Sequence, residues 1–179
     1  MLIDLLSATL QKSKALDAAW KKMDNKEDAV IGVASSARPF LVAARFVADP
    51  RTTLVITAGE DAADTFARTV GAFVGEERVL RYADYEGNPF SVDAPMRPQL
   101  HGMRLKALWA LQSKKPVIVV ASARALLRKV ALPQTEIAKP LVLKQGVDLS
   151  ESPQGNVESF EDLAEELVCM GYDNAGELA

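Results

Sequence analysis

Residues 29–39, AVIGVASSARP, join a short apolar run to a polar turn that ends in arginine and proline. The run at 29–34 is rich in β-branched residues, which predicts a strand buried on both faces. Ser35 or Ser36 can then cap a helix with Pro39 in its first turn, where proline lacks no hydrogen bond that it would otherwise make. The stretch therefore predicts a strand, a turn and a helix.

The same alternation of strands and helices continues along the chain. Apolar runs predict further strands at 52–58, 78–85, 116–121 and 140–146. Helically spaced apolar residues predict one or two opening helices within 1–24 and a helix after each of the first four strands, and they place Trp20, Phe66 and Trp109 in the core. This order predicts an α/β fold, a parallel sheet with helices on both faces.

The composition changes near Gly146, where a polar stretch precedes an acidic helix at 160–170. We therefore predict two domains, an α/β domain over 1–144 and the truncated beginning of a second small domain over 145–179. The lone cysteine, Cys169, excludes an internal disulfide framework and a cysteine-based zinc site, and its apolar neighbours predict a buried thiol.

Composition also excludes several classes of protein. The 179 residues are 49% hydrophobic and 25% charged, which is ordinary for a globular chain. No run reaches the roughly 18 uncharged apolar residues of a membrane helix, and the opening residues lack the cationic region of a signal peptide. We expect a cytoplasmic protein with no membrane contact.

Charge is distributed unevenly behind the net value of −3. Residues 97–129 hold eight Lys or Arg and no acid, whereas 145–179 hold nine acids and no Lys or Arg. The two stretches either pair with each other and with solvent, or serve separate partners. A DNA or partner surface would use the basic residues Arg97, Arg104, Arg124, Arg128 and Lys129.

The turn at 32–39 has the frame of a phosphate-binding loop without its chemistry. Against G-x-x-x-x-G-K-[ST], Ala37 replaces the second glycine, Arg38 the lysine and Pro39 the hydroxyl that holds magnesium. The positions of this vestigial loop are Gly32, Ser35, Ser36, Ala37, Arg38 and Pro39. Nucleotide hydrolysis is therefore not expected, although an ordinary strand-to-helix turn would have the same spacing.

No other cluster in the sequence supplies catalytic chemistry. His101 is the only histidine and is interpreted as a surface or capping residue. The strand at 116–121 ends in Ala121 and Ser122, where a magnesium-binding acid would be needed. We therefore predict no catalytic residue, no metal site and no bound cofactor.

Four segments, in this order, resemble a known family. They are GVASSARPFLVAARF at 32–46, TTLVITAGEDAADTFARTVGAFVG at 52–75, VIVVASARALLRKV at 117–130 and LAEELVCMGYD at 163–173. With the segments between them they resemble, over nearly the whole chain, the N-terminal region of bacterial transcription-repair coupling factors (Mfd). That region is similar in turn to the excision-repair protein UvrB.

The resemblance implies a half-helicase, RecA-like domain with a degenerate phosphate loop and no activity of its own. The ATP-dependent DNA translocase motor of the parent protein would lie outside this chain. The module would recruit the UvrA-type excision-repair subunit, through the second small domain, and pack against other domains of the parent to restrain it. RNA polymerase and DNA would be engaged through the parent.

Two alternatives are compatible with the same residues. The chain could be a nucleotide-dependent enzyme with an unconventional loop in which Arg38 binds phosphate. It could also be a DNA-binding module that uses the basic segment 97–129.

Overall fold

The computed structural model describes residues 8, 13–85, 98–113, 115–127, 143, 145–148, 159–170 and 172. The chain divides into two compact units, 1–132 and 133–179, so the predicted domain boundary at 144 falls within the second unit. The described part of the first unit contains a three-stranded sheet, and the described part of the second contains one helix.

The sheet is parallel and has the order β1-β3-β2. Its strands are β1 (Thr53–Thr57), β2 (Val79–Tyr82) and β3 (Ile118–Ser122). All five residues of β3 are buried because this strand lies between the other two and is covered on both faces, as its continuous apolar run predicts. The predicted α/β class and the parallel sheet are confirmed.

Helices cover both faces of this sheet. Those of the first unit are α1 (Lys14–Asp24), α2 (Arg38–Ala48), α3 (Glu60–Val74), α4 (Pro98–Gln112) and α5 (Ala123–Leu127). On one face, α2 and α3 pack against Ile118 and Val120 through a core that includes Phe46 and Val70. On the opposite face, Ala107 of α4 and Ala125 of α5 belong to the cluster around Val117, Val119 and Ala121.

Helix α3 ends at a glycine whose backbone conformation disfavours any other residue. Gly75 has a φ of +98°, a conformation that L side chains rarely adopt, and a Cβ there would collide with the carboxylate of Glu77. A 3₁₀ turn, Glu76–Arg78, then leads directly into β2. Gly75 therefore ends this helix.

The strand predicted at 29–34 is wrong for this structure. These residues have no strand hydrogen bonds, and the side chain of Val30 is fully exposed, with a relative accessibility of 102%. The apolar pattern shows which side chains favour burial, but a strand also requires a partner edge for its backbone. Most of the strand predicted at 140–146 lies outside the described residues.

In the second unit, helix α6 (Phe160–Cys169) begins with a capping box in which the side chains of Ser159 and Asp162 accept hydrogen bonds from each other's backbone N–H groups. No residue of α6 is buried, and Phe160 and Cys169 are exposed. The predicted buried thiol is therefore wrong, because the described part of this unit holds no second layer over the helix.

Candidate functional site

The vestigial loop adopts a turn without the strand that a phosphate loop requires. Gly32, Ser35 and Ser36 are exposed, and residues Ser35–Ala37 form a 3₁₀ turn. Helix α2 then begins at Arg38, with a buried Pro39 in its first turn as predicted. The helix start is therefore confirmed, but the strand–loop–helix arrangement that aims backbone N–H groups at a phosphate is incomplete.

A cavity of about 600 Å³ lies beside this turn. It lies between the end of α1, residues 29–33, α2 and the start of β1, it is partly open to solvent, and Arg38 contributes to its wall. The apolar part of the wall includes Trp20, Met23, Ile31, Val33, Leu41, Val42, Phe46 and Leu54. The cavity therefore suits aliphatic side chains better than a polyphosphate.

Charged residues at one end of this cavity pair with one another. Arg45 donates to the carboxylates of Asp24 and Asp49, the latter at 3.0 Å. Arg51 contacts the same two carboxylates at 3.3 and 2.6 Å. Because each arginine already has two acidic partners, this network joins α1, α2 and the start of β1 and offers little free charge to a ligand.

The carboxyl ends of parallel strands are where α/β folds usually bind ligands. Here the first turn of α3, just after β1, carries two acids, Glu60 and Asp61. Arg81 of β2 donates to Glu60 at 2.7 Å, to Asp64 at 2.6 Å and to the carbonyl oxygen of Val120 at 2.8 Å. The acids stabilise the helix N-terminus and oppose the approach of a phosphate group.

Arg104 is a structural residue of the interior. Its side chain is only 3% exposed, and it donates to the carbonyl oxygen of Ala83 at 2.8 Å and to the hydroxyl of Tyr82. Its guanidinium carbon lies 3.9 Å from the ring centre of Tyr82 and 4.7 Å from that of Tyr85. The prediction that Arg104 contacts DNA or a partner is therefore wrong, because these groups already surround its guanidinium.

Tyr82 and Tyr85 extend this cluster towards the surface. Burial raises the pKa of Tyr82 above its ordinary value, and the adjacent Arg104 partly opposes that shift. The hydroxyl of Tyr85 lies 2.9 Å from Nδ1 of His101, and the two rings stack at 6.2 Å. His101 is exposed, as predicted for a surface residue.

The other candidate basic contacts are not gathered into one patch by the described structure. Arg124 lies at the start of α5, and its Nε contacts the carboxylate of buried Asp84 at 2.6 Å. Arg97, Arg128 and Lys129 lie outside the described residues. A single basic surface built from these residues stays a prediction.

Sequence reasoning missed the roles of Arg81, Tyr82 and Asp84. A signal was present, since a strand that reads RVLRYADY places an arginine and an aspartate within an otherwise apolar run. Charged residues in such a run are expected to be paired inside the fold. The identity of their partners, on α3, α4 and α5, depends on tertiary packing.

Within the described residues, no three His, Cys, Asp or Glu side chains are grouped so as to hold a metal ion. None of the helices in that part of the chain has the length and hydropathy needed to cross a membrane. The chain matches no family model, no curated protein and no solved structure.

Proposed function

We propose that this chain is a non-catalytic interaction module of a transcription-coupled DNA repair translocase, related to UvrB. In this role it recruits the UvrA-type excision-repair subunit and packs against other domains of the parent protein to restrain the motor. The resemblance of the four sequence segments supports the family. The outer face of α4 is the observation that supports binding as the use of the fold.

Helix α4 is apolar on both sides. Its inner side packs on the sheet through Ala107, whereas Leu105 and Trp109 lie one turn apart on the outer side. The side chain of Trp109 is 49% exposed, so the prediction that it belongs to the core is wrong. Exposed tryptophan is enriched among the residues that dominate protein interfaces. This pair therefore supports contact with another protein domain.

The charges at the carboxyl edge of the sheet also favour protein binding over nucleotide hydrolysis as the function of this fold. Glu60 and Asp64 are both held by Arg81, and no lysine stands at the position where a phosphate loop needs one. A RecA-like ancestry with a lost ATP site accounts for such an edge. ATP would then be used only by the motor of the parent protein.

Restraint of the motor is tested in the full-length parent. We expect Trp109→Ala to raise its ATPase rate in the absence of RNA polymerase by at least about tenfold, because a hot-spot tryptophan contributes about 2 kcal/mol or more to an interface and about 1.4 kcal/mol corresponds to tenfold. Lys106→Ala, an exposed change on the same helix, is the matched control and should leave the rate unchanged. Equal rates in both variants and the wild type would remove the outer face of α4 from the proposal.

Recruitment is measured separately by titrating the same parent variants with the purified UvrA-type subunit. Saturable binding that survives Trp109→Ala would assign recruitment to another surface of the module. Absence of binding by the wild-type parent would contradict the proposed repair function.

We expect no nucleotide binding by the isolated chain. A site with a Kd of about 50 µM would stabilise the protein by about 2.7 kcal/mol at about 5 mM Mg–ATP, which is a shift of several degrees in Tm. Thermal unfolding with and without Mg–ATP should show no shift. A shift that disappears in Arg38→Ala would instead establish the nucleotide-dependent alternative.

A further inference from the structure

The outer edge of β1 has no strand partner in the described sheet. The order β1-β3-β2 leaves one side of β1 unpaired. The N–H of Thr53 donates to the carbonyl oxygen of Val117 at 2.9 Å, so the backbone N–H and C=O of Thr53 face β3. Because backbone groups alternate in direction along a strand, the amides of Leu54 and Ile56 point outward. Such an edge is available for pairing with a further strand.

Residues 29–33 lie next to that edge with the pattern of a strand. Ile31 and Val33 are half-buried and line the same cavity of about 600 Å³ as Thr53 and Leu54, whereas Val30 and Gly32, which alternate with them, are exposed. This is an alternation with a period of two residues, the repeat of a β-strand that has one face covered. The segment therefore has the side-chain pattern of a strand without its hydrogen bonds.

The handedness of the connections selects one edge of the sheet for this segment. Helix α2, which joins it to β1, packs on the same face as α3, which joins β1 to β2 across β3. Crossover connections between parallel strands are right-handed in about 98% of cases. Because α2 and α3 lie on the same face, the connection from residues 29–34 to β1 is right-handed only if the segment lies at the outer edge of β1. At the outer edge of β2 the same connection would be left-handed.

Docking at this edge would also place the exposed aliphatic side chains of the segment and of β1 on the same face of the sheet. Val55 packs with the core on the α2 and α3 face, so Leu54 and Ile56 lie on the opposite face, where they are 54% and 57% exposed. A parallel strand that turns Ile31 towards α2 necessarily turns Val30 to the opposite face, beside Leu54 and Ile56. Docking would thus bring three exposed aliphatic side chains into contact and remove part of their surface from water.

We propose that residues 29–34 dock on the outer edge of β1 as a fourth parallel strand and close the cavity, which gives this module an open and a closed state. Both ends of the segment can accommodate the movement. Lys26, at its beginning, already has a left-handed φ of 63°, and the 3₁₀ turn Ser35–Ala37 follows it. In the closed state the chain's own strand blocks addition of another chain at the same edge.

Amide hydrogen exchange on the purified chain tests this docking. In the closed state the N–H of Ile31 donates to the carbonyl oxygen of Leu54, and the amides of Leu54 and Ile56 donate to the carbonyl oxygens of Ala29 and Ile31, whereas the N–H of Gly32 points away. We expect the amides of Leu54 and Ile56 to exchange at least about 100-fold more slowly than in an unstructured peptide. Ile31→Pro, which lacks the bonding N–H, should abolish most of that protection.

Gly32→Pro is the matched control, because it removes only the outward N–H, and an added Cβ meets no atom within 4 Å. It should leave the two amides protected. Exchange of the wild-type Leu54 and Ile56 amides at the rate of an unstructured peptide would overturn the proposal. Protection that is unchanged in Ile31→Pro would also overturn it, and dependence of that protection on protein concentration would identify a second copy of the chain at the edge.

Discussion

Arg104→Ala should lower the free energy of unfolding by about 3–5 kcal/mol, a large part of the total for a domain of this size. The change removes three interior hydrogen bonds, to Ala83, Ala125 and Tyr82, and the stacking of the guanidinium on Tyr82 and Tyr85. Bonds to a charged donor contribute about 1.5–3 kcal/mol each, and a desolvated cation over an aromatic ring about 2 kcal/mol. Urea unfolding followed by tryptophan fluorescence measures the loss, because Trp20 and Trp109 both lie in the first unit.

Two further variants separate the contributions at this position. Arg104→Lys keeps the charge but lacks the planar fork that reaches three acceptors and stacks on two rings, so it should show an intermediate loss. Lys106→Ala changes an exposed cation on the same helix and should stay within about 0.5 kcal/mol of wild type. A loss below about 1 kcal/mol for Arg104→Ala would contradict a structural role and return Arg104 to the candidate partner contacts.

Phe46→Ala should cost a similar amount, about 3–5 kcal/mol, for a different reason. Phe46 is buried on α2 among Ala43, Val70 and Ile118 in the core that joins this helix to α3 and the sheet. Removing the ring loses its transfer energy and leaves space that rigid neighbours fill incompletely. The same urea experiment measures the change, with no alteration expected in the dependence on denaturant concentration.

Val47→Ala is the control for this substitution because it changes the next residue of α2, whose side chain is exposed. It should alter the free energy of unfolding by less than about 0.5 kcal/mol. Similar losses for the two variants would mean that α2 does not pack as described. That result would also weaken the argument for a fourth strand, since α2 connects that segment to β1.

The agreement between sequence and structure is best where one residue pattern has one physical solution. The run at 116–121 is apolar at every position, and β3 is the central strand, buried on both faces. The sequence of helix α3 has a continuous apolar stripe, acids in its first turn and Gly75 after its last residue. In the structure the helix runs from Glu60 to Val74, between those acids and that glycine. Local composition and the tertiary environment favour the same structure at these positions.

The disagreements lie where an outcome depends on a partner distant in the chain. The segment at 29–34 has the composition of a strand, but pairing depends on whether its backbone reaches the edge of β1. Trp109 has helical spacing, but only one side of α4 meets the sheet. Arg104 looks like part of a basic surface because the sequence does not show the tyrosines and carbonyl groups that surround it.

Residue types at short spacing therefore determine the α/β order, the parallel sheet, the helix stops and the lack of a phosphate-loop glycine, lysine and hydroxyl at 37–39. Packing in three dimensions decides that Arg104 belongs to the interior, that Arg81 pairs with the acids of α3, that Trp109 lies on the surface and that β1 lies at an edge of the described sheet. The physical reason is that backbone propensity and apolar periodicity act over a few residues, whereas burial and pairing depend on groups far apart in the chain.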